Sequence, residues 1–496
     1  MFQVFSTRWQ ALPGLLVALA LLAGSCKKDD SSGNVTPTPT PPTPTPPTTL
    51  PSQVAVWLTT GDKSALFYRQ QLNLRFAANT NSNPTIAVDT TQTFQTMDGF
   101  GYCLTGGSAQ VMSRMSAASR AALIKELFAT DSTSLGISYL RVSIGASDLN
   151  DQVYTYDDSG TPDPTLANFS LAPDRAYVIP VLKEILALNP NIKIMGSPWT
   201  APVWMKSPKP GTSAASTVGG SLLPQYYDAY ARYFVKYIQG MQAEGIPIDA
   251  VTLQNEPLNP DNNPSMMMTA TEQATFIKNN VGPAFRTAGL TTKIIAYDHN
   301  CDVPGYPISV LSDAAANPYV DGSAFHLYAG SIDALTTVHN AFPAKNVYFT
   351  EQYTRTPGNF PSDLLEHVRD LEIGAPRNWS RNVLEWNLAS DQNYGPYTPG
   401  GCSVCLGAVT INSNTVTRNP AYYTVAHSSK FVRPGSVRVA TNVPNNLPNV
   451  AYKTPAGKRV LVVLNTSSTP QTFNIQYKNK VVTPTLFANS VATYIW

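Results

Sequence analysis

Between about residues 97 and 390 the sequence alternates short apolar runs with longer amphipathic ones, and this alternation limits the fold more than any other feature. Eight runs have strand character: Gly99–Cys103, Ile137–Ser143, Ile192–Ser197, Ala250–Gln254, Lys293–Asp298, Gly322–His326, Val347–Thr350 and Val383–Trp386. Most are continuously apolar rather than alternating, as strands covered on both faces must be. The intervening segments carry helical periodicity. Gln225–Ala243 is the clearest, with Tyr226, Tyr230, Phe234, Tyr237 and Met241 along one face. Eight β/α alternations over roughly 300 residues predict an α/β fold of the (β/α)8 TIM-barrel type. An open doubly wound sheet is the competing arrangement, but no glycine-rich phosphate loop follows the first strand.

After about residue 425 the texture changes. Ser436–Ala440, Val450–Tyr452, Val460–Leu464, Thr472–Gln476, Val481–Leu486 and Val491–Ile495 are short strand-like runs separated by turn residues. They predict an attached antiparallel β-sandwich module. Val54–Ala87 is also strand-like and is expected to add strands to that module, so that both chain ends flank the barrel. The expected division is 1–26 signal peptide, 27–52 linker, 53–95 N-terminal strands, 96–424 barrel and 425–496 C-terminal module.

The N-terminus reads as an export signal. Arg8 precedes an apolar run from Leu12 to Ala23 that ends in Gly24-Ser25-Cys26. That run is too short to span a bilayer. LLAGSC resembles a bacterial lipoprotein signal, which makes Cys26 the expected lipidation site. The chain is thus expected on a lipid anchor at the outer membrane or cell surface, or facing the periplasm. From Ser31 to Pro51 the residues are mostly Ser, Gly, Thr and Pro, an extended spacer. In an exported chain, Cys402 and Cys405 of the CSVC loop are best read as a local disulfide. A redox or metal role is the alternative, but no second CxxC and no suitably spaced His lies nearby. Cys103 and Cys301 each sit at or just past the end of a predicted strand, a position compatible with free, buried thiols.

The net charge of +2 gives no electrostatic reason to propose nucleic acid or an anionic membrane surface as partner. Charged residues make up only 13% of the chain, whereas Tyr numbers 24 and Trp 7. Such a surface suits neutral, stackable ligands such as sugars, and it also suits ordinary aromatic packing.

Hydrolysis of a glycosidic bond needs two carboxyl groups, one to protonate the leaving oxygen and one to attack or to activate water. In a barrel such groups sit where strands end. Two acids stand out by that rule. Ala250-Val251-Thr252-Leu253-Gln254 runs into Asn255-Glu256-Pro257, where the proline stops the ladder. Val347-Tyr348-Phe349-Thr350 runs into Glu351. These follow strands four and seven, and 95 positions (256 to 351) match about three β/α units. A single strand-end Glu is more often a solvated carboxylate; the pair favours chemistry.

The motifs around these acids resemble glycoside hydrolase family 30. They are Asp98-Gly99-Phe100-Gly101, Leu140-Arg141-Val142-Ser143-Ile144-Gly145-Ala146-Ser147-Asp148, the SPWTAPVWMK stretch from Ser197 to Lys206, and Gln254-Asn255-Glu256-Pro257. Asp298-His299-Asn300, Phe325-His326-Leu327-Tyr328, Thr350-Glu351-Gln352, Glu385-Trp386-Asn387-Leu388 and the SKFVRPGS stretch from Ser429 to Ser436 complete them. The resemblance implies a retaining β-glycosidase with Glu256 as acid/base and Glu351 as nucleophile. Asn255 is then expected to donate to the hydroxyl beside the reacting carbon, and Arg141 and Tyr328 to hold Glu351 ionised. Burial and the second carboxylate are expected to raise the Glu256 pKa. Trp199 and Trp386 are candidate sugar platforms, with Asp148 and His326 as further substrate contacts.

This chain departs from the lysosomal glucosylceramidase branch. Tyr102-Cys103-Leu104-Thr105-Gly106 lacks that branch's Thr-Asp pair, and Leu327 stands where that branch has Trp. The expected substrate is a β-1,6-glucan cleaved internally, with glucosylceramide-like or exo-glucosidase action as alternatives. A catalytically inactive glycan-binding lipoprotein is the competing class. No metal or organic cofactor is implied, and a monomer is expected.

Overall fold

The computed structural model describes residues 52–496 apart from Asn79. The signal peptide, Cys26 and nearly all of the linker lie outside the described residues. Among those residues no helix is long and apolar enough to cross a membrane.

Eight parallel strands close a barrel in simple chain order: β1 Gly99–Leu104, β2 Tyr139–Ser143, β3 Lys193–Ser197, β4 Ala250–Thr252, β5 Lys293–Cys301, β6 Val320–Gly330, β7 Asn346–Glu351 and β8 Ser380–Asn387. Each apolar run singled out in the sequence is one of these strands, with shifted ends. The helix expected at Gln225–Ala243 runs from Tyr227 to Ala243, after a 3-10 turn at Pro224–Tyr226. It buries Tyr230, Phe234, Tyr237 and Met241 as expected, and also Tyr227 and Tyr233, so its apolar face is wider than the pattern indicated.

The barrel interior is layered. Tyr139, Met195, Ala250, Ile295, Ala324, Tyr348 and Leu384 form one buried cluster, one residue from each strand from β2 to β8. Side chains two positions later on a strand share its face. On β2, β3, β4, β6, β7 and β8 those residues are Arg141, Ser197, Thr252, His326, Thr350 and Trp386. The interior therefore turns from apolar to polar toward the C-terminal ends of the strands. Strand β5 breaks the alternation. Its pairing shifts register between Tyr297 and His299, and Tyr297 and Asp298 take φ of 74° and 73°. The extra residue turns Tyr297 outward against Tyr306 and Phe325 and brings Asp298 inward instead.

The second layer system is a nine-stranded sheet made from both chain ends, as the sequence indicated. Ala55–Thr60, Tyr68–Gln70 and Thr85–Thr96 join strands between Val437 and Ile495. It is antiparallel except that Thr85–Thr96 runs parallel to Asn474–Tyr477, a pairing the expected antiparallel module did not include. Its core holds Val56, Leu58, Ile86, Leu461, Phe473 and Tyr494. His427, on the helix Pro420–Ser429, meets this sheet through Thr493 Oγ1 at 2.8 Å and Thr59 Oγ1 at 2.9 Å.

Candidate active site

Asp298 is the hub of the polar layer. Its Oδ2 accepts from Arg141 Nη2 at 2.8 Å, Ser197 Oγ at 2.7 Å and Thr252 Oγ1 at 2.8 Å. Its Oδ1 accepts from Thr350 Oγ1 at 2.7 Å and faces His326 Nε2 at 3.0 Å. Five strands thus converge on one buried carboxylate. Burial alone would raise its pKa; Arg141 and His326 reverse that and hold it well below the ordinary carboxylate range.

Arg141 is fully buried and spends its guanidinium on the site. Nη1 donates to Glu351 Oε2, and Nη2 also donates to Asn255 Oδ1 at 2.6 Å and Ser197 Oγ at 3.1 Å. Because Arg141 holds the Asn255 oxygen, the amide nitrogen remains as the free donor. The guanidinium also lies 4.9 Å from the Trp199 ring centre and 5.7 Å from that of Trp386. The two tryptophans stack at 5.3 Å between centroids.

Glu351 ends β7. Its Oε1 accepts from Tyr328 Oη at 3.0 Å. Glu256 follows β4 with φ of 46°, a left-handed conformation uncommon for a residue with a side chain. Its N–H donates to Asp298 O at 2.9 Å, and its Oε2 accepts from Asn259 Nδ2 at 2.8 Å. His326 Nδ1 lies 3.4 Å from Glu256 Oε1 and 3.8 Å from Glu351 Oε1. An oxygen of Glu256 and one of Glu351 approach within 4.8 Å. Both carboxylates open into one cavity of about 510 Å³, which Asp148, Trp199, Tyr328 and Trp386 also line.

Sequence models match this architecture in two parts. The glycosyl hydrolase family 30 TIM-barrel domain covers residues 97–432, and the glycosyl hydrolase family 30 beta sandwich domain covers residues 435–494. The chain belongs to glycoside hydrolase family 30. It is a glycoside hydrolase. It is 37% identical over 420 residues to an endo-1,6-beta-D-glucanase of Neurospora crassa, covering 78% of this chain and 85% of that one. It is 30% identical to the lysosomal acid glucosylceramidase of Mus musculus, with 81% of each chain covered. The solved endo-beta1,6-glucanase BT3312 superposes with a TM-score of 0.84 at 37% identity, over 89% of this chain and 99% of that one.

Within this family 30 site the residues singled out from the sequence divide by depth. Glu256, Glu351, Asp148, Trp199, Tyr328 and Trp386 line the cavity. Arg141 and His326 lie beneath it, packed into the hydrogen-bond network, so their reach to substrate runs through the groups they hold; Asn255 is buried beside them with its amide nitrogen left as a donor. Trp199 and Trp386 are each 2% exposed, so what they offer a sugar is an edge or a small part of a face. Cys402 and Cys405 form a disulfide, and it too lines the cavity. Cys103 and Cys301 are free and buried.

The charge arrangement differs from the expectation for Glu256. Burial works to raise its pKa, but the nearby His326 cation, His299 and Asn259 outweigh burial and hold it at about 2. Burial raises Glu351, together with the Glu256 and Asp298 carboxylates and against His326 and Arg141. The expectation considered the second carboxylate and overlooked the imidazole between the two. His326 itself is raised to about 9: burial opposes the cation, and Glu351, Asp298 and Glu256 prevail. Glu256, His326 and Glu351 are also a geometrically possible metal triad. In the arrangement described, the His326 ring bridges carboxylates, with Nδ1 facing Glu256 and Nε2 facing Asp298.

Asp298, His299, Ser197, Thr252 and Thr350 stand in the strand-end runs and motifs of the sequence but carry no role legible there, and Asn259 lies outside those motifs. Strand-end position would have found the hydroxyl residues, since each sits two residues beyond an interior apolar one. His299 lies in the cavity wall, where its Nδ1 accepts the Leu258 N–H at 3.3 Å.

Proposed function

We propose that this family 30 enzyme is an endo-β-1,6-glucanase that works by double displacement with retention. The observation that carries the mechanism is the approach of Glu256 and Glu351 within 4.8 Å. That gap suits direct attack on a sugar carbon, for which carboxyl groups lie about 5–5.5 Å apart, and not the ~6.5–9.5 Å spacing that seats a water between them. Glu351 attacks the anomeric carbon as the glycosidic C–O bond breaks, and Glu256 protonates the departing oxygen. Water then attacks the same carbon, Glu256 takes its proton, and Glu351 leaves as carboxylate. Asn255 donates to the hydroxyl beside the reacting carbon. The 37% identity to the Neurospora crassa endo-1,6-beta-D-glucanase supports the substrate.

The test is incubation with pustulan, laminarin, xylan, an aryl β-glucoside and glucosylceramide. A ladder of β-1,6-linked oligosaccharides from pustulan supports the reading. Glucose alone points to exo action, preferred cleavage of glucosylceramide to the lipid-glucoside alternative, and no release at all to a binding protein. A 2-fluoroglucoside should label Glu351; labelling elsewhere sinks the role assignment.

We also infer that the chain is an exported lipoprotein anchored through Cys26, and that it acts as a monomer. The LLAGSC signal and the Pro/Thr-rich spacer support the first inference. Incorporation of labelled palmitate that is lost in Cys26→Ala tests it, and sedimentation of the mature enzyme tests the second.

A further inference from the structure

The Cys402–Cys405 disulfide sits in the wall of the active-site cavity and takes no part in the double displacement. Its surroundings connect the two sides of the site. Cys405 belongs to a short strand, Cys405–Leu406, paired with Thr354–Arg355 just beyond Glu351. The Thr356 N–H donates to Val404 O at 2.9 Å in the same ladder. Cys405 therefore moves with the end of β7. Cys402 lies on the other side of the cross-link, in a loop without regular structure that contains Gly400 and Gly401. Its N–H donates to Asp148 Oδ2 at 3.3 Å. Thr398 N donates to the Asp148 carbonyl at 2.9 Å. A Cβ placed on Gly401 would meet that same carbonyl at 2.4 Å, so the loop backbone lies directly against Asp148. The cystine packs with Trp386, Trp199, Leu149 and Cys103 in one apolar cluster.

Without the cross-link, the position of the Cys402 N–H would rest on an irregular, glycine-containing loop. With it, that donor is fixed by a three-residue step from an anchored strand. We propose that the Cys402–Cys405 disulfide is a positioning device that aims the Asp148 carboxylate at the sugar and ties it to the strand end that carries Glu351. The proposal rests on the reading of Asp148 as a sugar contact. It makes substrate affinity redox-sensitive. Dithiothreitol gives two electrons and two protons, the S–S bond becomes two thiols, and the reagent closes to its own cyclic disulfide. Asp148 then loses its fixed donor while both catalytic carboxylates keep theirs.

The experiment compares the full-length enzyme, the enzyme reduced with dithiothreitol and alkylated, and the Cys402→Ser/Cys405→Ser variant, each with and without the Asp148→Asn substitution. Mass analysis confirms which cysteines carry the alkyl group. Loss of the disulfide should raise KM for β-1,6-glucan about tenfold, the effect of one well-placed hydrogen bond, with a smaller change in kcat. It should also move the acidic limb of kcat/KM to higher pH, because the Cys402 N–H favours ionised Asp148. In the Asp148→Asn background neither change should recur. A lower melting temperature with unchanged KM and pH profile would overturn the proposal and leave a purely structural staple. A second tenfold loss in the Asp148→Asn background would overturn it too. If Asp148→Asn alone leaves KM unchanged, the sugar-contact reading fails and the proposal with it. Should the serine variant fold poorly by circular dichroism, the reduced and alkylated enzyme carries the same test.

Discussion

His326 Nδ1 lies 3.4 Å from Glu256 Oε1, while the other nitrogen of the ring faces Asp298 at 3.0 Å. One imidazole thus links the proposed acid/base to the carboxylate that organises the barrel floor. The ring is raised to about 9 and is a cation at neutral pH. It stores a proton one hydrogen bond from Glu256, the group proposed to deliver one. As pH rises through about 9 that proton leaves. The basic limb of kcat/KM, which reports the free enzyme, is expected there. In His326→Asn only Glu256 can hold the proton, and the limb should move to lower pH by about one unit or more. An unmoved limb would remove His326 from the proton path. The stability linkage has a definite sign. A raised histidine stabilises the fold fully below its unfolded pKa of about 6.5. That stabilisation is lost as pH rises through about 9.

Asp298 accepts five hydrogen bonds from five different strands. Asp298→Ala leaves Arg141 and His326 as buried cations without their shared anion. Removal of one partner from a buried pair typically costs ~3–5 kcal/mol. Urea denaturation should show that loss, and Thr350→Val, which removes a single neutral donor, should cost about 1 kcal/mol. Equal losses in the two variants would mean that the hub is not electrostatic.

Tyr328 Oη donates to Glu351 Oε1 at 3.0 Å. Tyr328→Phe keeps the ring and removes the donor. A hydrogen bond to a charged group contributes ~1.5–3 kcal/mol. The 2-fluoroglucoside should therefore inactivate the variant about 10- to 100-fold more slowly than wild type. Inactivation at the wild-type rate would show that Arg141 alone holds the proposed nucleophile.

Much of this was legible because the barrel writes itself as repeated apolar runs that end in polar residues. Arg141, His326 and Trp386 could be read because each stands two places beyond an interior apolar residue. Asp298 could not be placed in the same way. The β5 bulge shifts the alternation by one residue, and that shift depends on pairing with β6, which no local pattern encodes. The segment from Ala389 to Arg418 was equally opaque. It folds into a three-stranded sheet and the disulfide loop, yet its strands are two to four residues long and too short to show a period. The low pKa of Glu256 was missed because His326 reaches it across the barrel, from 70 residues away in the chain.

Asp148 sets function against stability in a way that pH can expose. It is 5% exposed and has no cationic partner within ion-pair distance among the described residues. Burial, then Glu351 and Glu256, raise its pKa from 3.8 to about 7, against the Cys402 N–H. A carboxyl raised in this way costs nothing below its unfolded pKa, where both states are protonated. The cost grows as pH rises between the two values and is complete above the folded one. At pH 8 it is on the order of 4 kcal/mol. Asp148→Asn removes the ionisable group and keeps its shape. The variant should be more stable than wild type at pH 8, less so at pH 5, and should lose affinity for the glucan chiefly at pH 8, where wild-type Asp148 is ionised. Urea titrations at the two pH values, with KM measured alongside, check this. A stability gain of the same size at both pH values would show that folding does not shift the Asp148 proton, and that a buried charge is not what the sugar site retains at a cost to the fold.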